Sequence, residues 1–312
     1  MTISLLLVAT GLVLLYFGGE WLVSGAISAA RRAGLSPFII AITVVGFGTS
    51  MPELLVSLQA SLAGQPDIAL GNVVGSNIAN ILLIAGVGAL LGPFAMKPSK
   101  DLNRDAFVML GAALLLSGVM LTGGVPRVAG LVFMALLVVY LLVVIITGRG
   151  KSDDDALDDA PLRLHWGLVI AAGFVALFAG ADLLVRGAVD IARTLGVNEA
   201  VIGLTVVAVG TSLPELATTI TASLRRQAHI AIGNIVGSNI FNILAIVGIS
   251  ASIVPLKASA LIAGPSAMIM VGATALLALF LVTGWRVTRA HGAVLLAGFV
   301  GYCGWLSLVG GV

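Results

Sequence analysis

The sequence predicts an all-α membrane protein of ten transmembrane helices, arranged as two inverted-topology five-helix repeats with broken helices 2, 3, 7 and 8 at the midplane. Three observations predict it. The 312-residue chain is 59% hydrophobic and only 10% charged, with a mean hydropathy of +1.15, a composition whose natural solvent is lipid. Its apolar residues gather into ten segments, each long enough at about 1.5 Å per residue to cross about 30 Å of hydrocarbon. The second half of the chain repeats the first at a fixed offset of 162 positions.

The segments are 3–27, 37–63, 68–91, 104–122 and 127–147, then 164–188, 198–224, 230–254, 261–283 and 290–309. The first lacks a basic leader and its apolar run is too long for a cleavable signal, so it reads as a span. In the second, Pro52 has no N–H and clashes with the carbonyl four residues back, which predicts a kink around Gly46–Thr49. Pro214 does the same in the seventh. The third carries Asn72, Ser76 and Asn80 at i, i+4 and i+8, one polar helix face. Gly71 and Gly75 beside it form a small-residue strip that admits a close neighbour. Asn234, Ser238 and Asn242 with Gly233 and Gly237 repeat this in the eighth. The remaining spans carry no such motif, although the first and sixth are long and contain glycines.

An odd number of spans per repeat makes the second repeat enter the membrane the opposite way. The expected division is a first repeat over 1–147, a linker over 148–163 and a second repeat over 164–312. The linker holds Asp153, Asp154, Asp155, Asp158 and Asp159 among small polar residues and reads as a solvated cytoplasmic loop. With the amino terminus outside, twelve of the sixteen Lys and Arg fall at inner loops and helix ends and four at outer ones. The positive-inside rule therefore puts both termini outside and the central loop in the cytoplasm of a multi-pass plasma or inner membrane protein. The single cysteine, Cys303, rules out an intrachain disulfide or a thiolate metal cluster. A net charge of +2 gives no reason to expect nucleic acid. The partners expected are the lipid bilayer and small cations, and the chain is expected to act as a monomer with no cofactor.

The phrase GFGTSMPE at 46–53 returns as AVGTSLPE at 208–215, and GNVVGSNIANIL at 71–82 as GNIVGSNIFNIL at 233–244. Each copy sets one glutamate, Glu53 or Glu215, in a segment without Lys or Arg. A carboxylate at bilayer depth is costly unless something pairs with it, so two at matching positions suggest one shared cation. The broken backbone around Gly46, Thr49 and Ser50, and around Ala208, Thr211 and Ser212, adds carbonyls and hydroxyls within one helical turn. Ser76, Asn80, Ser238 and Asn242, with the Asn72 and Asn234 amides, complete a set of hard oxygen donors that suits Ca²⁺ or Na⁺ and disfavours Zn²⁺ or Cu⁺. A proline kink capped by hydroxyls and a packing strip would explain Ser76 or Gly75 singly; they do not explain the paired glutamates. Glu20 and Asp182 are also repeat mates, but they lie toward the ends of their spans and read as structural or gating-surface residues, Asp182 with Arg186 four residues on.

These paired motifs closely resemble the α-repeats of the sodium/calcium exchangers of the cation/calcium antiporter superfamily, in their minimal prokaryotic form, over nearly the whole chain. The resemblance implies exchange of several Na⁺, usually three, for one Ca²⁺. By motif match, Ca²⁺ is held by Glu53, Glu215 and the backbone carbonyls of Thr49 and Thr211. Flanking Na⁺ sites draw on Gly46, Ser50, Ser76, Ala208, Ser212 and Ser238, with Asn80 and Asn242 alongside. Relatives that carry Asp where this chain has Asn80 or Asn242 include the potassium-dependent branch, so the two amides point to K⁺-independent exchange. Two carboxylates balance one Ca²⁺, and three Na⁺ would leave one net positive charge, so exchange is expected to be electrogenic. The first and sixth spans are the candidates for a gate that slides against a fixed core.

Three rival readings remain. A Ca²⁺/H⁺ antiporter could release Ca²⁺ by protonating the same glutamates, and extra neutral oxygens favour Na⁺ over it. A membrane-embedded enzyme lacks any Ser–His pair, H-E-x-x-H or paired catalytic Asp within its spans. A passive channel would bind its ion too tightly at two fixed carboxylates.

Overall fold

The computed structural model describes residues 2–96, 98–148, 165–195 and 208–309. Its first repeat contains α1 (Thr2–Ala33), α2 (Pro37–Thr49), α3 (Met51–Leu62), α4 (Pro66–Leu91), β1 (Phe94–Ala95), α5 (Lys100–Met120), β2 (Gly124–Val125) and α6 (Arg127–Gly148). The second contains α7 (Trp166–Thr194), α8 (Ala208–Thr211), α9 (Leu213–Leu224), α10 (Ala228–Ile253), β3 (Leu256–Lys257), α11 (Ile262–Gly284), β4 (Arg286–Val287) and α12 (Arg289–Val309). Among the described residues, eight helices are long and apolar enough to cross a membrane, and the bent pair α2–α3 makes a ninth span. The expected seventh span begins outside the described residues and is represented here by α8 and α9. The linker expected at 148–163 lies almost wholly outside them.

The repeat is written into local structure as well as sequence. Helices α3 and α9, α4 and α10, and all four short strands start and end at the same 162-residue offset. Each proline that opens α3 or α9 sits in the first turn, where its missing N–H costs nothing. Ser50, with φ −82° and ψ 8°, breaks the helix before it, and α3 leaves at 44° to α2. The kink thus pivots at Ser50, just past the expected Gly46–Thr49, because Pro52 has no N–H for the carbonyl four residues back and its ring crowds that carbonyl. In the third and eighth spans the interruption takes another form. There the helix stays continuous and widens into a π turn, at Asn80–Ile84 and at Asn242–Val247. Such turns insert an extra residue per coil and recur at functional sites.

The inverted relation shows in the two short antiparallel ribbons. β1 pairs with β4, Phe94 opposite Val287, and β2 pairs with β3, Val125 opposite Leu256. Each ribbon takes one strand from either repeat, and repeat mates β1 and β3 sit in different ribbons. α10 lies at the centre, its whole membrane-length window buried. The long helices α1 and α7 pack along each other over most of their length. Ser4, Gly11, Gly18 and Gly25 recur every seven residues on α1 and face Gly187, Gly180, Gly173 and Ile170 on α7. A β-carbon at Gly11 would lie 2.7 Å from the Gly180 carbonyl oxygen, so only small residues permit this antiparallel seam.

Candidate cation site

Four helical segments converge on the midpoint of the core: the end of α2 and start of α3 from one repeat, and α8 and α9 from the other, flanked by α4 and α10. Glu53 stands in the first turn of α3 and Glu215 in the first turn of α9. They are 1% and 2% exposed. The two repeats hold each other's acids. Ser212 Oγ donates to Glu53 Oε1 at 3.0 Å, and Ser50 Oγ donates to Glu215 Oε1 at 3.0 Å. Each serine is the broken residue ahead of its own glutamate, so the kink aims a hydroxyl across the repeat interface.

This crossed pair leaves the second oxygen of both carboxylates, Glu53 Oε2 and Glu215 Oε2, buried without a hydrogen-bond partner among the described residues. The amide oxygens of Asn80 and Asn242, at the start of the two π turns, are buried and unpartnered in the same way. No Lys or Arg occurs in α2, α3, α4, α8, α9 or α10. An unpaired buried acceptor costs on the order of 1–3 kcal/mol, and more when charged. Four arranged symmetrically, two of them carboxylate, form a set of hard oxygens that a dehydrated cation can satisfy. No cluster of three or more His, Cys, Asp or Glu is found among the described residues. The donor set is therefore two acids and neutral oxygens.

Most of the other expected residues lie on the same helices. Thr49 and Ser50 are buried, as are Ser76, Ser212 and Ser238. Gly46 presents its carbonyl to Ser238 Oγ, which donates to it at 3.2 Å. Thr49 Oγ1 lies 3.1 Å from the Val45 carbonyl and 3.2 Å from Asn234 Oδ1. Thr211 is partly exposed at the end of α8, which Ala208 opens.

The side-chain nitrogens of Asn72 and Asn234 have a structural role that the sequence expectation did not include, and Asn234 Oδ1 lies 3.2 Å from Thr49 Oγ1. Asn72 Nδ2 donates to the Glu53 carbonyl at 3.1 Å and to Ser57 Oγ at 2.9 Å. Asn234 Nδ2 donates to the Glu215 carbonyl at 3.3 Å and to Thr219 Oγ1 at 3.1 Å. Each amide is a clamp that fixes the backbone of one glutamate against its neighbouring helix. The sequence signal was present in Ser57 and Thr219, a hydroxyl kept at the 162-residue offset, fifteen positions before each asparagine. Replacing Asn234 with Ala should strand the Glu215 carbonyl and the Thr219 hydroxyl at a cost of about 1–2 kcal/mol. A lowered thermal unfolding midpoint with a weakened Ca²⁺ affinity is the expected result.

The glycine strip of the eighth span does admit a close neighbour. At Gly233 a β-carbon would lie 2.6 Å from Ala41 Cβ, and at Gly237 2.5 Å from the Ile42 carbonyl oxygen. Asp182 forms the expected pair with Arg186, at 2.9 Å. Glu20, by contrast, reaches Arg225 at the end of α9, a partner 205 residues away that no local pattern indicates.

Comparison with known proteins agrees with this architecture. The sequence model of the family described as Sodium/calcium exchanger protein matches residues 3–146 and again 165–308. The inner membrane protein YrbG of Escherichia coli is 35% identical, over 99% of this chain and 97% of its own length. The sodium/calcium exchanger MaX1 of Methanosarcina acetivorans is 33% identical, over 96% and 97%. Among solved structures, the sodium-calcium exchanger NCX_Mj, soaked with zero Na⁺ and Ca²⁺, superposes with a TM-score of 0.86 at 31% identity, covering 98% of this chain and 99% of that one. Family, length and fold agree, and the chain is a member of the sodium/calcium exchanger protein family, a cation/Ca²⁺ antiporter and not an enzyme.

Proposed function

We propose that this protein exchanges Na⁺ for Ca²⁺ across a plasma or inner membrane by alternating access, electrogenically and without K⁺. One observation carries the reading: the crossed Ser50–Glu215 and Ser212–Glu53 bonds, which leave one carboxylate oxygen from each repeat buried and unpartnered in segments that carry no Lys or Arg. One Ca²⁺ would take Glu53, Glu215 and the carbonyls of Thr49 and Thr211. Na⁺ ions would draw on the same acids with Gly46, Ser50, Ser76, Ala208, Ser212 and Ser238, and with the amide oxygens of Asn80 and Asn242. Because both ions need the same two charges, they displace each other. A neutralised centre crosses the low-dielectric barrier more cheaply than bare carboxylates, which favours exchange over leak. The repeats 1–147 and 164–312 would form the two mirror-related halves, with both termini outside and residues 148–163 in the cytoplasm.

The test is ⁴⁵Ca²⁺ uptake into proteoliposomes loaded with Na⁺. Uptake should follow the outward Na⁺ gradient, ignore K⁺, and run faster under an inside-positive potential, since each cycle carries net positive charge outward. For one net charge, 100 mV weighs about 2.3 kcal/mol, so Ca²⁺ accumulation at steady state should shift about fiftyfold. Uptake driven by a pH gradient and indifferent to Na⁺ would establish the Ca²⁺/H⁺ reading instead.

A further inference from the structure

Internal symmetry gives a second view of the same machine, because every contact in one repeat has a mirror contact that the other could make. Helices α1 and α7 both pack against α9, which leads from Glu215 to Arg225. Against α3, the mirror of α9, each makes marginal contact at most. The exposure of mirror residues agrees. Thr221 on α9 is 5% exposed beneath α1, where a β-carbon at Gly19 would lie 2.5 Å from its Oγ1. Its mate Gln59 is exposed, and Leu55, the mate of Ala217, is 54% exposed. On the alternating-access reading, this structure is the state closed at the Arg225 face, and exchanging the roles of the repeats would give the other.

Glu20 lies beside Gly19 at this closed contact. Arg225 Nε donates to Glu20 Oε1 at 3.0 Å, and Arg225 Nη2 bonds Glu20 Oε2, a two-point pair between α1 and the end of α9. In the mirror state Glu20 would be replaced by Asp182 and Arg225 by Ala63, which has no charge to offer. Asp182 instead pairs with Arg186 on its own helix, where both side chains are more than half exposed. The ion pair therefore exists on one side only.

We propose that Glu20 and Arg225 form a one-sided latch that biases the carrier toward the state closed at the Arg225 face. The proposal rests on the alternating-access reading above, and it makes these residues positioning groups that set which face the site opens to. Moving α1 off α9 breaks the pair, and no equivalent pair forms in return.

A thiol-labelling experiment tests it without requiring transport. In a Cys303→Ala background, Thr221→Cys places the only thiol beneath α1, and a membrane-impermeant maleimide reaches it when α1 withdraws. The labelling rate then follows the population of the opposite state. Glu20→Gln and Arg225→Gln should each raise that rate, by up to about fivefold for one partly exposed bidentate pair. The exchanged pair, Glu20→Arg with Arg225→Glu, should return it toward the parent value. Ala63→Arg should also raise it, by giving Asp182 a partner in the mirror state. A rate unmoved by Glu20→Gln and Ala63→Arg, or raised by the single variants and not restored by the exchange, overturns the latch. A purely structural pair would lower the unfolding temperature without changing the rate. Ca²⁺ flux through the parent protein tests the antiport reading separately.

Discussion

Glu53→Gln and Glu215→Gln should each abolish Ca²⁺ exchange, weakening Ca²⁺ affinity by about 100-fold or more, while the protein still folds and inserts. The amide keeps the shape of the carboxylate, and its oxygen can still accept the 3.0 Å bond from Ser212 or Ser50. What changes is the atom that faces the open shell. The unpartnered Oε2 becomes an NH₂ group, turning an acceptor with half a charge into a donor pointed at a cation. Removing one acid also leaves a single charge against a divalent ion. ⁴⁵Ca²⁺ exchange and calorimetric Ca²⁺ titration would measure the loss, and size-exclusion behaviour would check folding. Near-normal exchange in either variant would remove these residues from the site.

Gly237→Ala should be strongly damaging for a change of one methyl group. Its β-carbon would lie 2.5 Å from the carbonyl oxygen of Ile42 and 2.9 Å from its Cα, backbone atoms that cannot rotate away. The helices α10 and α2 must then part, and the next residue, Ser238, holds the 3.2 Å bond to the Gly46 carbonyl. Overpacking of this kind costs about 1–3 kcal/mol. Displacing one wall of the site by a fraction of an ångström should lower exchange by about 10- to 100-fold. Gly301→Ala, at an exposed position of α12 with open space around it, should leave both stability and exchange near the parent values. Measuring both variants in the same vesicles separates the close contact from a general effect of replacing glycine.

Much of the fold could be read before any coordinates. Hydropathy located the nine spans found among the described residues, and one constant offset tied Glu53 to Glu215, because each acid sits in an apolar segment without Lys or Arg. Proline chemistry located the bend to within a residue. The crossed serine bonds were not legible. They depend on how the two kinked ends face each other, and the 159 and 165 residues that separate the partners carry no trace of it. The polar stripe of Asn72, Ser76 and Asn80 was legible as a face, but not as two functions. The helix rotates Asn72 toward the backbone of α3, while Asn80 stands where the α-helix gives way to a π turn. Helical periodicity assumes a uniform coil, and the π turn violates that assumption where the chemistry is.

The exchange of strands between the halves has a consequence for ancestry. β1 finds its complement in the counterpart of β2, and β2 in the counterpart of β1. A single five-helix unit able to insert in both directions would therefore meet, in its own upside-down twin, a partner for each of its two short strands. Gene fusion would then only have had to join what already dimerised.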